Sequence, residues 1–278
     1  MIIKFKFIYF CIFILILSCS KKIEQVSDLK ENNLEAQMIE VYKEGMEEFE
    51  KGDVIFAGKK FSEAELLFPQ SVWAPRAVLM ASYGYFSQGY YTYAINELER
   101  FIVKYKNHPQ IDYAYYLLAL CHYDQIVDER KDLNEILQAK KYFEIVVSEY
   151  SNTDYADDSK FKLQFITEIM ASKEMYLARY YVDREKWIPA IKRFQKVVNE
   201  YDTTIFVEEA LHRLVELNYK IGLIEEAEKY ASILGYNYQS SLWYEASYAL
   251  VSKDYQIKKV DDKDQRETIL KKFKNLFK

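Results

Sequence analysis

Three histidines (His108, His122, His212), three cysteines (Cys11, Cys19, Cys121) and 43 carboxylates are the groups in this 278-residue chain from which a reactive centre would be assembled. A hydrolase or metalloenzyme needs several of them to converge, and the sequence does not space them for that. No histidine pair has metal-ligand spacing, no HExxH run occurs, no second cysteine accompanies Cys121, and no phosphate loop or GxSxG elbow is found among the 7 glycines. The carboxylates fall mainly at helix-surface intervals beside Lys or Arg, as in Glu225, Glu226, Glu228 and Lys229, which reads as solvated helix faces. Cys121 sits in the apolar run YYLLALCHY and reads as a small core residue. The expectation is a protein with no catalytic residue, no metal and no cofactor.

Aromatic side chains are abundant instead, with 26 Tyr and 17 Phe. Rings give large contact area at low entropic cost, which suits recognition of peptides. Two junctions between apolar segments concentrate them, and the candidate peptide-binding residues are Phe68, Pro69 and Trp73 at the first and His108, Pro109, Asp112, Tyr113 and Tyr116 at the second.

The elements that position these residues are helical hairpins. Tyr42 to Pro69 reads as two amphipathic helices broken at Gly52-Asp53, with small residues at Gly45, Ala57 and Ala64, a large one at Phe61 and a helix-stopping Pro69. The types match the small, aromatic and proline positions of the roughly 34-residue tetratricopeptide (TPR) repeat. Similar units follow near 77–105, 113–150, 174–201 and 207–234, marked by Ala94, Ala139, Ala190 and Ala227. The third carries a charged insertion, DQIVDERKDLNEI. Each second helix ends in a polar or Pro-containing break such as KYKNHPQIDYA or EYSNTDYADDS. One hairpin cannot bury its apolar face alone, so the units must stack. The predicted fold is all-α, a superhelical solenoid of five TPR-like helix-turn-helix repeats over 36–250 plus a C-terminal helix.

Residues 1–18 place Lys4 and Lys6 before an apolar run and read as a secretory leader. Polar residues in 19–35, with no clear period, read as a tether. Residues 251–278 form a basic tail in which Ile269, Leu270, Phe273, Leu276 and Phe277 share one helical face. That helix would suit a partner groove, an anionic membrane or the last repeat. The formal net charge of −5 argues against nucleic acid as a partner.

Ile16-Leu17-Ser18-Cys19 resembles the lipobox of bacterial lipoproteins, which implies lipid attachment at Cys19 and, with Ser20 next, the outer membrane. The lipobox, the tether, the five repeats and the segments KNHPQIDYAYYLLAL, VDERKD and MYLARYYVDREKWIPAIKRFQKVVNEY together resemble the BamD family of the bacterial β-barrel assembly machinery. The resemblance implies a lipid-anchored scaffold on the periplasmic face of the outer membrane. It would bind BamA through a POTRA domain, meet other assembly-machinery subunits and recognise C-terminal signals of unfolded β-barrel precursors. On the BamA side it implicates Arg193, flanked by Arg184 and Trp187. A second family of periplasmic TPR scaffolds, coordinating cell-envelope or peptidoglycan synthesis, is the alternative.

Overall fold

The computed structural model describes residues 22–126 and 133–252, with side chains from residue 33 onward. These residues form α-helices and no strand: α1 (Lys22–Glu50), α2 (Val54–Leu67), α3 (Trp73–Ser87), α4 (Tyr91–Lys104), α5 (Ile111–Tyr123), α6 (Asn134–Glu149), α7 (Asp154–Val182), α8 (Trp187–Glu200), α9 (Val207–Lys220), α10 (Ile224–Asn237) and α11 (Leu242–Val251). Successive helices pair as five hairpins, and α11 packs against α9 and α10. This is the all-α, TPR-like architecture that the repeats predict.

The spacing of small and large residues is what pairs the helices. Ala57, Ala94, Ala139, Ala190 and Ala227 are all buried, each on the second helix of its hairpin. Four residues on, Phe61, Leu98, Phe143 and Phe194 are fully enclosed; seven on, Ala64, Phe101, Val146, Val197 and Leu234 are as well. Burial of each such side chain larger than alanine contributes about 1.5–3 kcal/mol. Gly45 permits the first pair to close, because a Cβ there would lie 2.8 Å from Cε1 of the buried Phe61.

Four of the five turns within hairpins share one geometry. Gly52, Gly89, Glu185 and Gly222 have φ of 86°, 76°, 54° and 83°. In each, the following N–H (Asp53, Tyr90, Lys186, Leu223) bonds back to the carbonyl five residues earlier (Glu48, Tyr85, Tyr181, Asn218) at 2.8–3.0 Å. This is a Schellman end, which needs a left-handed residue; glycine adopts it without cost and Glu185 does not.

The junctions between hairpins repeat too. An aromatic residue closes every second helix: Phe68, Tyr105, Tyr150, Tyr201 and Tyr238. Its carbonyl accepts from the N–H three residues on, at Ser71, His108, Thr153, Thr204 and Ser241 respectively. Pro69 stands inside the first of these turns, beyond the end of α2.

The helices belong to two compact units. Among the described residues, one comprises 22–126 and 133–163 and the other 164–252, and α7 runs across the boundary. The first has its core around Phe61, Leu98, Phe101 and Leu118. The second is centred on Phe194, Val197, Leu211 and Leu214.

Two expectations change. Most of the stretch read as a tether, 19–35, is helical, because α1 begins at Lys22 and continues into the first hairpin. Its Glu, Lys, Leu and Gln residues have good helix propensity, and the packed half of α1 supplies the nucleus they extend. In addition, a helix, α11, follows the fifth hairpin directly. The leader, Cys19, the insertion's centre at 127–132 and the helix expected at 264–278 lie outside the described residues. No helix among the described residues is long and apolar enough to cross a membrane.

Candidate protein-binding sites

In the first unit the first helices line a groove of about 500 Å³. α1 contributes Tyr42; α3 contributes Arg76, Leu79, Met80 and Tyr83; the lead-in to α5 contributes His108, Pro109 and Gln110, and α5 itself Tyr113. Tyr42 meets the Trp73 ring edge-on at 5.5 Å, and the Arg76 guanidinium lies 5.2 Å from the same indole. Trp73 thus forms a support behind Tyr42 and Arg76. The groove combines ring surface with one exposed guanidinium.

The electrostatics favour neutral rings around that cation. Burial raises the Tyr42 phenol above its ordinary value although Arg76 pulls the other way. Burial, then Arg76, lowers the His108 imidazole, which keeps it neutral at pH 7. Tyr113 is pushed up to about 12, chiefly by burial and then by Tyr155 and Tyr83. His108 also has a structural task, since its Nδ1 accepts from the Gln110 N–H at 3.2 Å and its ring sits edge-on to Phe101 at 5.5 Å.

Of the eight residues expected to bind peptide, His108, Pro109 and Tyr113 line the groove, and Trp73 backs it. Phe68 and Pro69 belong to the junction turn, with Phe68 packed on the core. The Asp112 carboxylate accepts from the Tyr113 N–H at 2.8 Å. Tyr116 turns toward α7, where its hydroxyl donates to Asp158 at 2.6 Å and its ring stacks on Tyr155 at 5.0 Å. Asp112 and Tyr116 therefore stand outside the groove. Sequence reasoning missed Tyr42, Arg76, Leu79, Met80, Tyr83 and Gln110. The signal was present on α3, where 73, 76, 80 and 83 form one i, i+3, i+7, i+10 stripe.

In the second unit, Arg193 donates to Glu174 at 2.8 Å, and Lys196 donates to the other oxygen of the same carboxylate at 2.8 Å. Lys196 also lies 3.9 Å from Glu200. Burial opposes ionisation of Glu174, but the hydrogen bonds from Lys196 and Arg193 outweigh it and hold the carboxyl below its ordinary value. Arg193 lines a shallow cavity of about 320 Å³ with Tyr181, Pro189, Lys192 and Lys196. Arg184 lies 3.6 Å from the Tyr180 ring and Trp187 lies 3.9 Å from the Lys220 ammonium, so neither lines that cavity. The face is cationic and ring-flanked.

Burial pushes the Cys121 thiol up to about 12, and no group of three potential metal ligands occurs among the described residues. Stacked hairpins with an aromatic groove and a cationic face define a TPR-type protein whose surfaces suit binding of other proteins. More narrowly, residues 34–233 match the YfiO family, described as outer membrane lipoproteins, and the chain belongs to it. Among its relatives, the outer membrane protein assembly factor BamD of Rickettsia prowazekii is 38% identical over 225 residues, covering 81% of this chain and 89% of the relative. The BamD of Caulobacter vibrioides is 37% identical over 212 residues, covering 76% and 70%. That of Neisseria meningitidis serogroup A is 28% identical over 215 residues, covering 72% and 79%.

Proposed function

We propose that this chain is a non-enzymatic scaffold for outer-membrane protein assembly, held at the periplasmic face by lipid on Cys19. The first-unit groove receives extended segments of unfolded β-barrel precursors. The Arg193 face, with Arg184 and Trp187 on the same hairpin, engages a POTRA domain of BamA, and other assembly subunits bind elsewhere. The observation that carries the reading is the groove itself, in a chain whose relatives are named assembly factors: rings for apolar precursor side chains, and Arg76 with no carboxylate partner among the described residues. An extended peptide lying along such a groove gains affinity by seating side chains between rings.

The test is fluorescence anisotropy with a labelled peptide from the C-terminal strand of a β-barrel precursor. Tyr83→Asp and Arg76→Glu are each expected to weaken binding about tenfold or more, because each replaces a groove-lining contact with a repulsive or desolvated charge. Wild-type affinity in both variants would remove the groove from the reading. For the anchor, Cys19→Ser is expected to abolish lipid labelling and release the protein from membranes.

A further inference from the structure

The last groove in the described chain belongs to the second unit. It lies between α10 and α11, has a volume of about 420 Å³, and is lined by Ala231, Ser232 and Gly235 on one side and Tyr244, Tyr248 and Val251 on the other. Gly235 lies four residues past Ala231 and three past Ser232, and Tyr244, Tyr248 and Val251 follow one another at four and three, so each set shares one face of its helix. Earlier repeats show what belongs there. Glu65, eight residues past Ala57, meets Arg100 and Lys104 of the next second helix at 2.8 Å. Gln195, five past Ala190, donates to the Tyr230 hydroxyl of the next second helix at 3.1 Å. On α10 the same two register positions, counted from Ala227, are Gly235 and Ser232, both in the groove. α11 in turn follows α10 through the same aromatic-closed turn, Tyr238 to Ser241, that introduces the first helix of every later hairpin.

We propose that residues 264–278 occupy this groove as the second helix of a sixth hairpin. The segment carries Ile269, Leu270, Phe273, Leu276 and Phe277 on one helical face and matches the 14-residue second helices α2, α4, α8 and α10 in length. Residues 253–263 can span up to ~36 Å when extended, ample to return along α11. Charge fits as well: Lys272 and Lys274, at the edges of that apolar face, would approach Glu228 at the groove. A solenoid needs a polar outer face at its last repeat, whereas Tyr244 and Tyr248 line this groove and Tyr248 is 40% exposed. The docked segment would bury apolar surface there and present its basic face to water.

Hydrogen exchange on the full chain tests the idea, with Phe273→Asp to spoil the segment and Ser232→Arg to block the groove. Ser232 is exposed and its hydroxyl only bonds back to the Glu228 carbonyl, so arginine there leaves α10 intact. Amides of 266–278 are expected to exchange about tenfold or more slowly relative to the free peptide of that sequence, and to return to the peptide rate in each variant while α8 and α9 stay protected. Peptide-like exchange in the wild-type chain, protection surviving either variant, or protection seen only after adding phosphatidylglycerol vesicles would overturn it.

Discussion

Glu65 is 1% exposed, yet it stays ionised because three donors converge on one oxygen: Arg100 and Lys104 at 2.8 Å and the Tyr105 hydroxyl at 2.7 Å. Burial pushes its pKa up, and these bonds more than reverse that, so the net displacement is downward, as for Glu174. A lowered folded value means that the stabilisation is fully present above the ordinary carboxylate pKa and is lost as pH falls through the depressed one. Glu65→Gln is therefore expected to cost about 1.5–3 kcal/mol at pH 7, judged from charged hydrogen bonds, and less at pH 3. Urea midpoints at the two pH values check this, and an equal deficit at both would contradict it. Glu185 gives a prediction of opposite sign. It holds φ of 54° at a turn where the three equivalent residues are glycine. Glu185→Gly is expected to raise stability by about 0.5–1 kcal/mol, the left-handed strain relieved less the added freedom of the unfolded chain, measured by thermal unfolding.

At the scale of elements, the second helices were the most legible part of the chain. Their Ala, then Phe or Leu, then apolar sequence at spacings of four and three can satisfy only one arrangement, a face pressed against a partner helix. The closing aromatics and the Gly turns are equally local signals. The groove was harder to read because its members come from α1, α3 and the start of α5, and no local pattern says that Tyr42 and His108 line one cavity. The helical start of α1 was missed for another reason: a polar stretch without period carries no sign of the packed helix it extends. Gly45 belongs with the legible features, and it carries an element-scale prediction. Gly45→Ala would drive a methyl into Phe61, which is fully enclosed and cannot yield. Overpacking of this kind costs about 1–3 kcal/mol, partly offset by better helix propensity, so a lower melting temperature is expected.

For the whole molecule, two cores and two candidate surfaces make the two proposed binding events separable by mutation. The groove belongs to the first unit and the Arg193 face to the second. The substitution on the second unit has to be chosen with care. Arg193→Glu would set a second carboxylate against the buried Glu174, and any loss of partner binding could then come from local disruption. Arg193→Ala avoids this, because Lys196 still donates to Glu174 at 2.8 Å and no buried charge is left alone. Arg193→Ala is thus expected to leave the melting temperature within about 2–4 °C of wild type, which corresponds to roughly 1 kcal/mol in a chain of this size. It is expected to weaken capture of a BamA POTRA fragment about tenfold, with a shallower salt dependence because a rim cation is gone. The same variant should bind the precursor peptide with unchanged affinity, and Arg76→Glu should show the reverse pattern. Loss of both activities in Arg193→Ala would mean that the two surfaces are not independent, and unchanged POTRA capture would take Arg193 out of the interface.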